Sequence, residues 1–172
     1  MTKTKMTYLI CYDDHRTFTE DVRKRFSDTT RYVVVSFQTK QDFLEHLHNE
    51  ADNSSCKVAI IGVPDAVEQF DGINSLTQDC KASDQKTGII LLVPSDKMDE
   101  LKKIVKFNID AYIPRNSNSI LRIHNTVKKL FSEHNIAIYR RKRNVSLYVL
   151  LSFLVLVVIL IIVAYFRFPA YF

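Results

Sequence analysis

The sequence predicts an α/β domain, a doubly wound parallel sheet of five strands, followed by a single membrane-crossing helix. Three observations carry this. Short apolar runs alternate five times with segments whose apolar residues recur at helical spacing. The runs are nearly continuous rather than polar/apolar alternating, the mark of strands covered on both faces. Finally, residues 145–166 contain no ionisable acid or base over 22 positions.

The elements follow in order. Residues 6–12, MTYLICY, make the first run and end in Asp13-Asp14. Thr17 with Glu20 three residues on is a capping-box start, and Phe18, Val22 and Phe26 continue at helical spacing. Residues 32–37, YVVVSF, are β-branched and aromatic, hence a second strand. Thr39 with Asp42 opens a helix striped by Phe43, Leu44 and Leu47, and a polar turn covers 52–55. Residues 57–62, KVAIIG, read as the central strand. Pro64 follows, and Ile73, Leu76 and Cys80 outline a third helix. Residues 88–93, GIILLV, are ended by Pro94; Met98, Leu101, Ile104 and Val105 stripe helix four. AYIP at 111–114 is a brief fifth strand, and Ile120, Ile123, Val127, Leu130 and Phe131 stripe the last helix of the domain.

The 22-residue run spans about 33 Å as a helix, enough for a bilayer's hydrocarbon core. Tyr148 and Tyr165 sit near its ends, where amphipathic rings settle. Arg140, Arg141, Lys142 and Arg143 precede it, and Arg167 alone carries charge after it. Basic residues favour the cytoplasmic side, so the expected arrangement is single-pass in the cell (inner) membrane. That gives a cytoplasmic domain at 1–135, a basic juxtamembrane linker at 136–144, the span at 145–166 and a short outer tail at 167–172.

Charge supports the division. All 19 acidic residues precede position 134, and taking the five membrane-flanking bases from the 24 leaves 19 against them. A sheet domain without basic surplus gives no argument for a nucleic-acid partner. The same four bases are candidates for anionic lipid. Cys11, Cys56 and Cys80 form neither a CxxC pair nor an even framework, which fits a reducing compartment and a role as small buried hydrophobes.

In such sheets, ligands sit beyond the carboxyl ends of the strands, where the strand order reverses. The residues there are Asp13-Asp14, Gly62, Val93-Pro94-Ser95 and Arg115. Together with Phe70-Asp71-Gly72-Ile73 and Asp110-Ala111-Tyr112-Ile113-Pro114-Arg115, they give residues 6–132 a pattern that resembles the CheY-like receiver domain of response regulators. The resemblance implies a flavodoxin-like (βα)5 fold and a place in two-component (phosphorelay) signal transduction.

It also implies a site. An acidic pair helps bind Mg²⁺, an aspartate after strand three accepts a phosphoryl group, a hydroxyl residue and a lysine respond, and an aromatic in strand five reports the switch. Position by position, Asp13 and Asp14 match the acidic pair and Tyr112 the aromatic. Gly62 holds the acceptor's place and has no side chain to phosphorylate. Val93 replaces the hydroxyl and cannot donate a hydrogen bond. Arg115 keeps the lysine's charge but not its compact geometry. The expectation is therefore a pseudo-receiver, not an enzyme, working through protein partners.

Those partners would be a histidine kinase or another receiver, meeting Lys102 to Lys106, Tyr112 and residues 117–128. Asp65, three residues past Gly62, is the alternative acceptor, although reaching it carries strand three through Pro64, which cannot donate to a ladder. Asp13 and Asp14 alone offer Mg²⁺ fewer oxygens than a hard dication takes. His46 and His48 lie two apart on a helix and face apart, while His15, His124 and His134 are scattered and read as surface residues.

Overall fold

The apolar runs lie side by side because each must bury two faces. In the computed structural model, which describes residues 6–13, 16–49, 55–105 and 109–167, the strands are β1 (Thr7–Tyr12), β2 (Tyr32–Phe37), β3 (Cys56–Gly62), β4 (Gly88–Val93) and β5 (Ala111–Pro114). All pairings are parallel, in the order β2-β1-β3-β4-β5. This is the five-stranded flavodoxin-like receiver fold. β3 is central and every one of its residues is buried, as is every residue of β4. β2, at the rim, is half-buried throughout. The order reverses between β1 and β3, which places the crevice of the sheet above those two strands.

Five α-helices cover the sheet: α1 (Arg16–Arg25), α2 (Lys40–Asn49), α3 (Phe70–Ser83), α4 (Met98–Ile104) and α5 (Ser119–Arg167). Successive residues of one strand enter opposite layers, the two-residue period of extended chain. Ile10, Ala59, Ile61 and Leu91 pack with Phe43, Leu47, Ile73, Leu76 and Leu101 of α2, α3 and α4. Leu9, Cys11, Val58, Ile60 and Ile90 pack with Val22, Phe26, Ile123 and Val127 of α1 and α5. Each fully buried side chain of this kind stabilises the fold by about 1.5–3 kcal/mol relative to exposure. The three cysteines are free and buried within these layers.

Local signals act where expected. The Thr39 hydroxyl accepts from the Asp42 amide at 3.2 Å and so caps α2. Thr17 lies outside the residues whose side chains are described. A 3-10 turn, Val67–Gln69, precedes α3, which opens at Phe70. One reading needs correction. Ile104, expected on the apolar stripe of α4, is exposed, and the buried Val105 follows the helix rather than belonging to it. Seven residues are under two turns, and the stripe runs out with them.

Two compact units divide the chain, residues 1–131 and residues 132–172. The first is the sheet domain. The second is the later part of α5, which is helical through 136–144 and on to Arg167. Its apolar stretch is long enough to cross a membrane, and every side chain described from 145 to 162 is exposed.

Candidate functional site

Strand register assembles the site. Tyr12 pairs with Ile61, so Asp13 and Gly62 leave their strands side by side. Gly62 pairs with Leu92, and the Val63 amide continues the ladder to the Leu92 carbonyl at 2.9 Å. Val93 pairs with Pro114, and the Arg115 amide donates to the Val93 carbonyl at 2.7 Å. Four strand ends thus finish at one level, on the carboxyl-terminal rim of the sheet.

What fills that rim is a carboxylate lying over a glycine. A Cβ added at Gly62 would meet Asp13 Cγ and Oδ1 at 2.6 Å and Oδ2 at 3.0 Å. Such a distance cannot be absorbed without displacing the Asp13 side chain. Gly62 has ordinary strand geometry, so its missing side chain answers to space and not to a left-handed backbone. The Asp13 side chain is 1% exposed, with Arg115 Nη2 3.9 Å from its Oδ1. That same Nη2 donates to the Val63 carbonyl at 3.3 Å. Arg115 Nε is buried with no hydrogen-bond partner among the described residues. The guanidinium therefore lies across the finish of β3, held by one long hydrogen bond and one long ion pair. Burial first, and then the Asp13 charge, push the neighbouring Cys11 thiol up to about 12, so it stays protonated and inert.

Beside this group is a hollow of ≈ 390 Å³ lined by Asp13, Phe18, Asp21, Leu92, Arg115 and Ser119, among others. Val93 does not line it. Its side chain packs in the α2–α3–α4 layer, because strand alternation sends Leu92 and Val93 to opposite faces. The sequence read Phe18 as part of a helical stripe and Ser119 as part of the 117–128 surface, and placed neither of them, nor Asp21, at these strand ends. The signal available was that Phe18 and Asp21 share one face in the early turns of a helix that follows an acidic strand end. A second hollow, of ≈ 460 Å³, beside Gln78, Lys81, Ala82 and Gln85, lies towards the far end of α3, away from these strand ends.

A divalent cation here would need several oxygens. No group of three acidic, histidine or cysteine side chains converges among the described residues. Asp13 is shared with a guanidinium, and Gly62 contributes no carboxylate. Asp14 and His15 lie outside the described residues. The residues that are described do not fit the ion.

The other candidates sit apart. Asp65 is exposed, in a bend beyond β3, and is not among the residues around the hollow. Tyr112 is half-buried; its hydroxyl donates to the Val105 carbonyl, and Lys102 Nζ stands 5.9 Å from its ring centroid. Burial raises its pKa. Lys106 lies outside the described residues. His46 stacks on Phe37 with centroids 5.0 Å apart, while His48 is exposed. His124, expected at the surface, is half-buried against Phe26 at 5.3 Å. Arg140, Arg141, Lys142 and Arg143 are exposed on the later part of α5.

The geometry matches solved structures. A response regulator receiver domain from Clostridium thermocellum is similar with a TM-score of 0.60 and 12% identity, over 77% of this chain and 99% of that one. A CheY-like receiver domain protein from Methanospirillum hungatei gives 0.55 and 17%, over 77% and 98%. A protein described as an adenylate cyclase from Rhodopirellula baltica gives 0.61 and 9%, over 78% and 94%. At these identities the likeness is one of fold. No protein-family model matches the sequence, and no curated protein matches it.

Proposed function

We propose that this chain is a membrane-tethered signalling module of receiver fold that accepts no phosphoryl group and acts by protein–protein contact in a two-component-type pathway. One observation carries the reading: the acceptor's place at the end of β3 is Gly62, and the Asp13 carboxylate fills the space a side chain there would take. An acyl phosphate forms on a carboxylate oxygen, and glycine has none. Arg115, lying across the Val63 carbonyl, supplies a permanent positive charge where the family's lysine responds to a transient one. No catalytic step is part of this reading.

The partner is a histidine kinase or another receiver. By resemblance, it meets Lys102, Lys103, Tyr112 and residues 117–128. The module is residues 1–135, the basic segment 136–144, the span 145–166 and the outer tail 167–172. Arg140 to Arg143 beside an uncharged span support a cytoplasmic sheet domain at the inner membrane. Confinement to a membrane raises the effective concentration of any partner held in the same plane.

The test is phosphorylation of the full chain in nanodiscs by a small acyl-phosphate donor with Mg²⁺, read by intact mass. No phosphate-sized increase is expected. An increase that disappears in Asp65→Ala would replace this reading with a response regulator whose acceptor has moved to Asp65.

A further inference from the structure

The sheet domain carries nearly balanced charge, but the fold separates the signs. At the carboxyl-terminal rim the exposed side chains include Asp65, Glu68, Asp71, Asp96, Asp99 and Glu100. The bases on that side are few. Lys40 is paired with Asp79 at 3.0 Å, Lys97 with Glu100 at 3.7 Å, and Arg122 lies in the first turn of α5. At the opposite rim, where the strands begin, the exposed side chains include Lys24, Arg25, Lys86, Lys128 and Lys129.

Contacts, not sequence order alone, gather these bases. Phe26, next to the last turn of α1, stacks on Tyr32, the first residue of β2, at 4.9 Å, and on His124 of α5 at 5.3 Å. Leu130 packs against Gly88, the first residue of β4. Burial, and then the Arg25 and Lys128 charges, lower the His124 pKa. Three acids described on this rim are engaged. Asp28 is bonded by Thr30 and paired with Arg31 at 3.4 Å, Asp84 with Lys57 at 3.0 Å, and Asp110 with Lys81 at 3.7 Å.

The chain leaves the sheet domain from this same rim, at Phe131. Only residues 132–139 separate it from Arg140, a reach of about 30 Å even when fully extended.

We infer that this rim is a docking surface for anionic lipid headgroups, and that it sets which end of the sheet domain faces the bilayer. The inference rests on the membrane tether proposed above. It turns the acidic rim, with Asp13, Gly62 and Arg115, away from the lipid and towards the cytoplasm. Each basic residue near an anionic surface contributes about a fivefold gain in partitioning, screened over about 10 Å at 0.1 M salt. Several such residues gathered on one rim favour that rim facing the lipid.

Two measurements on the full chain test it. Alkaline carbonate extraction from membranes examines the tether: retention supports it, and release overturns the tether and the docking with it. Amide hydrogen exchange in nanodiscs then compares neutral phosphatidylcholine with a mixture containing a third phosphatidylglycerol. Exchange at residues 21–31, 84–88 and 126–131 is expected to slow several-fold in the anionic discs only, and to return to the neutral-disc rate at 0.5 M NaCl. Inorganic phosphate added to neutral discs is expected not to reproduce the slowing; if it does, the rim binds free anion and the lipid assignment is wrong. Lys24→Glu with Arg25→Glu and Lys128→Glu should abolish the effect, and the milder triple Gln variant should reduce it, with β3 and β4 exchange unchanged as the check on folding. Asp65→Lys with Glu68→Lys, at the other rim, should leave it intact. Equal exchange in neutral and anionic discs, with the chain still carbonate-resistant, overturns the docking alone.

Discussion

Among the described residues, each rim of the sheet buries one charged side chain, and the two are handled differently. At the amino-terminal rim, Lys57 is 1% exposed and donates to Asp84 Oδ2 at 3.0 Å. Asp84 also accepts from the Lys86 amide and the Thr87 hydroxyl. Burial works against the Asp84 carboxylate, but the Lys57 hydrogen bond and charge, with those donors, hold its pKa below the usual value. At the carboxyl-terminal rim, Asp13 is equally enclosed, yet its guanidinium stands at 3.9 Å and that guanidinium keeps a buried Nε without a partner among the described residues. The first pair is built for stability. The second lies at the strand ends, where the Asp13 carboxylate occupies the space above Gly62.

The largest effect should come from breaking the tight pair. Asp84→Ala leaves Lys57 buried without its counter-ion and should cost about 3–5 kcal/mol in urea unfolding. Lys57→Met, which removes the charge and keeps the volume, should cost clearly less. A loss for Asp84→Ala no larger than that of an exposed pair would remove the contrast between the rims. The linkage has a definite sign. A carboxylate with a depressed folded-state pKa contributes stability above its unfolded value, near 3.9, and loses it as pH falls through the folded value. Wild-type stability should therefore drop more steeply than that of Asp84→Asn below about pH 4.

Next is Gly62. Gly62→Ala should destabilise by about 1–3 kcal/mol, because the new Cβ meets Asp13 and not because the backbone resists it. Asp13→Ala in the same chain should recover much of that loss, and the double-mutant cycle measures the coupling directly. Additive costs would mean that the two residues do not share the space. Gly62→Asp should be worse than Gly62→Ala, since it adds a second carboxylate to the one already there.

Arg115→Met should follow at about 1 kcal/mol, since only the 3.3 Å hydrogen bond and the long pair are lost. A cost rivalling Asp84→Ala would show the two rims to be equivalent. The smallest expected effect is at His124, whose pKa burial, Arg25 and Lys128 lower below the ordinary 6.5. A lowered folded-state value means its contribution is complete above the unfolded pKa and declines as pH falls through the folded one. NMR titration should find it below 6.5, and Lys128→Ala should bring it part of the way back.

Much of this was legible in the residues. The β2, β4 and β5 limits coincide with the apolar runs; β4, buried on both faces, has no polar side chain inside it, whereas β2, half-buried at the edge, admits Ser36. The Thr39 cap is local chemistry, and a local signal suffices to read it. What failed was what depends on neighbours across space. Ile104 looks like part of a stripe until the helix stops. No local signal links Lys57 and Asp84, 27 residues apart.

The chain by itself determined the kind of domain and the absence of a carboxylate at position 62, since both follow from residue identity and from the periods of apolar burial. It also determined the uncharged span, which needs only length and composition. Tertiary structure alone decided that the Asp13 side chain lies in the space above Gly62, and that a domain of balanced charge carries acids on one rim and bases on the other. Both depend on register and on helix direction, which bring residues from distant parts of the chain to one level of the sheet.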